Sequence, residues 1–256
     1  MAKETFTVYV DDFDIDFFGM KLLNYEIRSY AKRKVVGTSI PGAHGTEEVP
    51  WTLDSMPFVV NVICEGKSTD DVNSKIREFF AFMHSTSSPH KIIFSDDAEV
   101  IRYAILDSPG NHRVVGGVDN AFAQLKLTFY MLDPFVYSDT RSIVAATVAH
   151  GEHLVVYNDA FECPAIYKLT NVGSSVVNGV SIIVNDELSS FSCPLNPGDV
   201  LELDTEEYEV RLNGVVNIDY WRGEMPLLRN GVNEVYQQNS SRDSLELSVT
   251  FTRKWA

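Results

Sequence analysis

Along Phe122-Ala123-Gln124-Leu125-Lys126-Leu127-Thr128-Phe129-Tyr130-Met131, Leu125, Leu127, Phe129 and Met131 fall on one face, with Gln124, Lys126 and Thr128 opposite. A two-residue period fits a strand with one buried and one wetted face, which is the pattern of antiparallel sheets. Phe58 to Cys64, Lys91 to Phe94 and Val100 to Leu106 are likewise apolar or alternating, and rich in Val, Ile, Phe and Tyr. Ser95-Asp96-Asp97-Ala98-Glu99 lies between two of these runs and predicts a hairpin turn, because Asp tolerates tight-turn dihedrals.

One segment departs from that period. Val72, Ile76, Phe79, Phe80 and Met83 recur at helical spacing, with Ser68 placed as N-cap, Asp70 and Asp71 in the first turn and His84 near the end. The aromatic stripe reads as core packing. After Leu132, Asp133-Pro134-Phe135-Val136-Tyr137-Ser138 is a proline-punctuated strand exit, and the domain boundary is placed there: residues 1–138, then 139–256. Downstream, short strand candidates follow one another from Leu154 to Phe251 with Gly, Asn and Pro between them, predicting a β-sandwich. At Asn213-Gly214 a three-residue loop would set Val210 opposite Val216 and Tyr208 opposite Ile218. That choice keeps apolar with apolar, and is preferred over a two-residue loop setting Val210 opposite Asn217.

Composition narrows the function. The 256 residues suffice for one large or two ordinary domains, and 45% hydrophobic content excludes wholesale disorder. No apolar run approaches the ~18 residues of a membrane span, and Met1-Ala2-Lys3-Glu4-Thr5 opens no signal-peptide stretch. The expectation is a chain neither secreted by that route nor embedded in a membrane. The net charge of −15 repels polyphosphate, and both halves are acidic, so sequence-specific nucleic-acid binding is not expected. The densest basic group, Arg28 with Lys32-Arg33-Lys34, reads as a solvated edge. Cys64, Cys163 and Cys193 support neither a disulfide framework nor a zinc knuckle, and fit folding in a reducing cytoplasm.

The search for chemistry returns no catalytic, cofactor-binding or metal-ligating residue. There is no Gly-x-Ser-x-Gly elbow and no phosphate-cradling glycine loop. His150-Gly151-Glu152-His153 lacks the spacing that sets two imidazoles on one helical face, and reads as a polar loop. Asp12-Phe13-Asp14-Ile15-Asp16 begins like a calcium loop but has Phe17 at its sixth position and Leu23 at its twelfth, so an edge hairpin with one charged face is expected. Asp199, Glu202, Asp204, Glu206, Glu207 and Glu209 read as a solvated surface. Tyr208, Tyr220, Trp221, Tyr236 and Trp255 can stack on sugar rings or pack in a core. Glycan binding abolished by Trp221→Ala would favour the former.

The order of these elements resembles the distal tail proteins (Dit) of long-tailed, siphovirus-type bacteriophages. Pro41-Gly42-Ala43-His44-Gly45 is similar to the family's Pro-Gly-Arg-Asp-Gly turn, departing at Ala43 and His44. Lys91-Ile92-Ile93-Phe94 followed by Ile101-Arg102-Tyr103-Ala104 resembles its post-helix hairpin, and Asp133-Pro134-Phe135-Val136-Tyr137 the exit from its first domain. Gly223-Glu224-Met225-Pro226-Leu227-Leu228, then Gly231-Val232-Asn233, resembles its Gly-x-Phe-Pro-x-Leu and Gly-x-Asn signature, with Met225 for the phenylalanine. The closing strand from Leu245 to Trp255 also fits.

The resemblance implies a mainly β protein. A sandwich-like N-terminal ring-forming domain with one amphipathic helix and a hairpin precedes a C-terminal galectin-like or carbohydrate-module-like β-sandwich. It implies a non-enzymatic virion component, made in the bacterial cytoplasm, without a cofactor. Its hexameric ring would join the tail tube to the tail tip or baseplate hub and support host-adsorption proteins. A closed ring needs two different complementary patches per subunit. The exposed side of the helix and the loop from Pro41 to Pro50 are the candidates. The alternative is a lectin-like protein gripping host cell-wall glycan through its C-terminal sandwich. No insertion long enough for an additional carbohydrate module is visible.

Overall fold

The computed structural model describes residues 6–27, 31–34, 38–39, 46–47, 52–109, 112–117 and 119–256. The Pro41–Gly45 turn, Arg28 and most of the loop to Pro50 lie outside these residues. The chain divides into two compact units, Met1–Tyr137 with Ala256, and Ser138–Trp255, each with its own apolar cluster.

In the first unit the strands follow the order Phe13–Asp14, Val8–Val10, His90–Phe94, Val100–Pro109, Ala121–Met131, Met56–Gly66, Met20–Glu26. The predicted alternation is realised along Ala121–Met131, where Ala121, Ala123, Leu125, Leu127, Phe129 and Met131 are all buried. This strand pairs with Met56–Gly66 without interruption, from Ala121 opposite Gly66 to Met131 opposite Met56. Val100–Pro109 changes partner along its length. Arg102 to Ala104 pair with His90–Phe94, whereas Ile105 to Pro109 pair with Ala121–Met131 across a bulge between Leu106 and Ser108. A bulge bends a strand and sharpens its twist, so the sheet folds over its own core.

The helix Thr69–Met83 packs on that sheet. Ser68 is extended (φ −149°, ψ 168°) and accepts a hydrogen bond from the Asp71 amide, as an N-cap does. Asp71 accepts from the Lys67 amide and then from Lys75, and these bonds hold its carboxyl below the usual carboxylate range. Val72, Ile76, Phe79 and Met83 are buried, each contributing about 1.5–3 kcal/mol by transfer out of water. The exposed helix residues include Asp70, Arg77, Glu78 and Ala81, a polar face.

The second unit is a two-sheet sandwich. One sheet runs Ser142–Val148, Leu245–Phe251, Ala165–Thr170, Val200–Asp204, Glu209–Leu212, Val215–Val216. The other runs His153–Asn158, Gly231–Gln238, Val180–Val184, Glu187–Phe191, Trp221–Gly223. The Asn213-Gly214 turn differs from expectation. Leu212 pairs with Val215 and Arg211 with Val216, so the loop has two residues. Asn213 (φ 51°) and Gly214 (φ 79°) both take the left-handed conformation that matches the twist of a tight hairpin. Asn213 also exchanges hydrogen bonds with Val200, its amide donating to the Val200 carbonyl and its Oδ1 accepting from the Val200 amide. Apolar pairing does not set the register because Val215 and Val216 lie at a sheet edge and are exposed.

The segment from Gly223 to Asn233 is bound tightly into the sandwich. Gly223 has φ 123°, and a Cβ there would sit 2.1 Å from the Leu188 carbonyl oxygen, so only glycine fits. Leu228 is buried and bridges Cys163. The phenol of Tyr167, fully buried, donates to the Pro226 carbonyl at 3.2 Å, and burial pushes its pKa far up. Asn233 is fully buried. Its Oδ1 accepts from Asn185 Nδ2 and the Arg229 amide, and its Nδ2 donates to the carbonyls of Arg229 and Gly231.

Candidate functional site: two interaction surfaces

The first surface begins at the Asp11-Asp12 turn. Both aspartates have positive φ, 48° and 70°, and the turn sets Val10 opposite Phe13 in an edge hairpin. Asp11 is fixed by buried His90. His90 Nδ1 meets the Asp11 carboxylate at 2.5 Å and Nε2 meets the Met83 carbonyl at 2.9 Å, while the other Asp11 oxygen accepts from the Lys91 amide. Asp14 caps the 3-10 turn Ile15–Phe18 by accepting from the Asp16 amide, and also accepts from the Thr7 hydroxyl. The acids of this motif are thus turn and cap groups.

They raise a ridge of rings. Phe79, in the core, meets Phe18, which meets Phe82 and Phe17. Phe13 lies 5.4 Å from Phe17 and 5.6 Å from Phe82. The outer end is wet: Phe17 is 71% exposed and Phe13 nearly half exposed. A second exposed apolar pair, Val115 opposite Phe122, lies elsewhere in this unit, on the outward face of Ala121–Met131.

The second surface is the outer face of the five-stranded sheet. His153, Val155 and Tyr157 point outward on one edge strand, beside outward Val232, Glu234 and Tyr236 on its neighbour. The His153 and Tyr236 rings stack at 4.4 Å and 22°, and His153 Nδ1 lies 3.2 Å from Glu234. A cavity of about 380 Å³ opens here, its polar wall formed by Asn185, Asp186, Arg229 and Asn230. Arg229 pairs with Glu187 at 2.5 Å, and Asp186, at a tight turn with φ 73°, has no hydrogen-bond or ion-pair partner among the described residues.

The residues singled out from sequence divide sharply. His150 and His153 serve different partners, His150 Nδ1 accepting from the Asn239 amide. Among the acids, Asp204 is 5% exposed, not solvated: it accepts from the Glu206 and Glu207 amides and pairs with Arg211. Asp199 is held below the usual carboxylate range by Asn213 first and then by Asn196. Trp221 and Tyr220 pack against the sandwich core, so Trp221 is the wrong residue with which to test sugar stacking. Tyr208 is exposed on a turn and Tyr236 belongs to the stacked pair. Tyr157 and Phe17, the most prominent rings of the two surfaces, carry no distinguishing sequence signal.

All three cysteines are buried, and burial raises their thiols, that of Cys163 to about 11. They are held in the unreactive protonated form. Among the described residues no helix is long and apolar enough to cross a membrane.

Residues 26–131, which lie within the first unit, match the family model of the phage tail protein RIFT-related domain. Across 99% of this chain and 100% of the other, the fold is similar to SPP1 Dit (gp 19.1), described as a paradigm of the hub adsorption apparatus in Gram-positive infecting phages. The TM-score is 0.78 and the identity 18%. A chain of the phage P2 baseplate in its activated conformation with Ca is similar over 97% of both chains, at TM-score 0.50 and 9% identity. No curated protein sequence matches the chain significantly. The mainly β fold and the resemblance to distal tail proteins read from the sequence are borne out.

Proposed function

We propose that the chain is a structural component of a phage tail, a distal tail protein forming a hexameric ring. The ring would join the end of the tail tube to the tip or baseplate hub and support host-adsorption proteins. The observation that carries this reading is the span of the similarity to SPP1 Dit, which takes in both units. The role is geometric and involves no turnover, and it places the protein in the virion.

Two features of the first unit support a ring. A cyclic interface beyond a dimer joins two unlike patches, and the Phe13–Phe17 ridge and the Val115–Phe122 pair are two separate apolar patches. They replace the helix in this role, because its outer face is polar. Six copies would carry a formal charge of about −90, and an acidic wall lets DNA pass without adhering.

Light scattering with negative-stain imaging tests the assembly. The expected species is about 172 kDa, six times 28.7 kDa, seen as rings with a central hole. Phe17→Asp and Phe122→Asp should each reduce it to monomer with the fold intact. A monomer that stays monomeric when mixed with tube and hub proteins would count against the reading.

A further inference from the structure

From the flank where the five-stranded sheet ends we infer that the second unit binds a partner protein by strand addition. The strand His153–Asn158 takes up an extended segment with alternate apolar residues and a basic residue at each end. This strand is the last of its sheet and pairs with Gly231–Gln238. The Asn185 amide donates to the Glu234 carbonyl, so the Glu234 backbone faces the strand Val180–Val184. Backbone polar groups alternate sides along an antiparallel strand. Asn233 and Val235 therefore face Val156 and Leu154, and the N–H and C=O groups of His153, Val155 and Tyr157 point away from the sheet. None of these groups has a backbone hydrogen bond among the described residues.

Folded chains blunt such an edge with a short strand, a bulge, a lysine or a proline. Most sheet ends here conform. Phe13–Asp14, Val215–Val216 and Trp221–Gly223 are two or three residues long, and Met20–Glu26 carries a bulge and Lys21. His153–Asn158 has six consecutive pairs and none of these devices. Ser142–Val148 is also undefended, but the outward residues beside it are Glu246, Ser248 and Thr250. Beside His153–Asn158 they are largely apolar: Val155, Tyr157 and Val232 are each more than half exposed. Alternate side chains of an added strand pack on such a face.

Charge selects the occupant. Glu152 precedes the strand, Asp159 follows it and Glu234 lies beside Val155, while the strand holds no lysine or arginine. Asp159 also meets Arg253 at 3.2 Å. Residues 139–256 carry 17 acids against 8 bases, a net −9. A second copy would bring like charge to the edge, whereas a basic segment is drawn to it. The inference extends the supporting role proposed above to one strand, and does not depend on the ring.

The test uses the full chain and capped seven-residue peptides of alternating valine and threonine, ended by lysine or by glutamate. The lysine-ended peptide should bind saturably, and the glutamate-ended one at least about ten-fold more weakly. Amide exchange read by NMR gives the signature of strand pairing. The His153, Val155 and Tyr157 amides should exchange freely in the chain alone and at least about ten-fold more slowly in the complex. Val155→Pro removes one outward N–H, a change that edge strands tolerate, and should abolish binding. Val155→Lys keeps the backbone intact and should weaken the lysine-ended peptide by repulsion. Light scattering should give the parent mass for both variants. The inference is overturned if neither peptide saturates at millimolar concentration, if the glutamate-ended peptide binds as well, or if the three amides stay unprotected. A folded Val155→Pro chain that still binds would also overturn it, and a fall in its mass would give the edge to a second copy instead. A chain that binds the peptide but never forms rings would refute the tail reading alone.

Discussion

The two units solve the same problem, a sheet with an apolar face, by different means. The first folds a bent sheet over the helix Thr69–Met83, and its buried polar residues, among those described, are His90 and Arg102. The second faces two sheets together and buries several amides, Asn158, Asn171, Asn233, Gln237 and Asn239, each hydrogen-bonded to backbone. A helix satisfies its own backbone, while a sandwich must pin the loops that cross between sheets. Buried amides do this because each can donate and accept at once. Stability in the first unit therefore rests on ring packing, and in the second on polar networks that tolerate no missing member.

The largest test of that contrast is Phe79→Ala, which removes a fully buried ring touching Phe18 and Phe80. It should cost about 3–5 kcal/mol, read by denaturant unfolding, with hydrogen exchange accelerating in the first unit and unchanged in the sandwich strands. Equal acceleration in both would break the distinction. Asn233→Ala should cost about 2–4 kcal/mol, because the Arg229 amide and Asn185 lose their acceptor. Here the sandwich should lose protection first, around residues 223–233. A cost no larger than that of an exposed substitution would show that the amides are incidental.

The smallest effect concerns Tyr25. Its hydroxyl donates to Asp96 at 2.6 Å, and that hydrogen bond, with burial, pushes its pKa up to about 12. The raised value stabilises the protonated phenol in the folded state. Its contribution is complete below the ordinary value near 10 and is lost as pH rises toward 12. Tyr25→Phe should cost at most about 1 kcal/mol at neutral pH, since the group is only partly buried. Urea titrations should show the gap from the parent closing above pH about 10. A gap independent of pH would assign the loss to packing.

What the sequence shows follows the same division. The helix is legible because Val72, Ile76, Phe79 and Met83 obey one period and Ser68 stands at its start. The strands Met56–Gly66 and Ala121–Met131 are legible because one of their faces is buried along the whole length. The Asn213-Gly214 register is misread for the complementary reason. Matching apolar residues presumes a buried face, and at that edge there is none. Tyr157 is hidden within the apolar run Leu154-Val155-Val156-Tyr157, which does not say which alternate residues face water. Phe17 is hidden because a 3-10 turn of Ile15–Phe18 has no period long enough to detect. Asn158, Asn233 and Gln237 look like loop residues on composition, and only the meeting of distant strands shows them to be internal.

The ladder between Met56–Gly66 and Ala121–Met131 also bears on how the molecule comes into being. Its partners are separated along the chain by the helix and the hairpin that follows it. Loop closure over such a distance must be complete before any of the pairing is rewarded, which slows folding. The helix and the His90–Phe94 hairpin, both local, can form as soon as they are made. Once the Gly66–Ala121 end has met, each further pair toward Met56–Met131 closes almost no additional loop, and the ladder zips. On a ribosome the first unit therefore cannot mature until Met131 has emerged. Until then Met56, Phe58 and Val60 lack their partners Met131, Phe129 and Leu127. The apolar face of Met56–Gly66 waits with only the helix to cover it, the interval in which this chain most needs protection from aggregation.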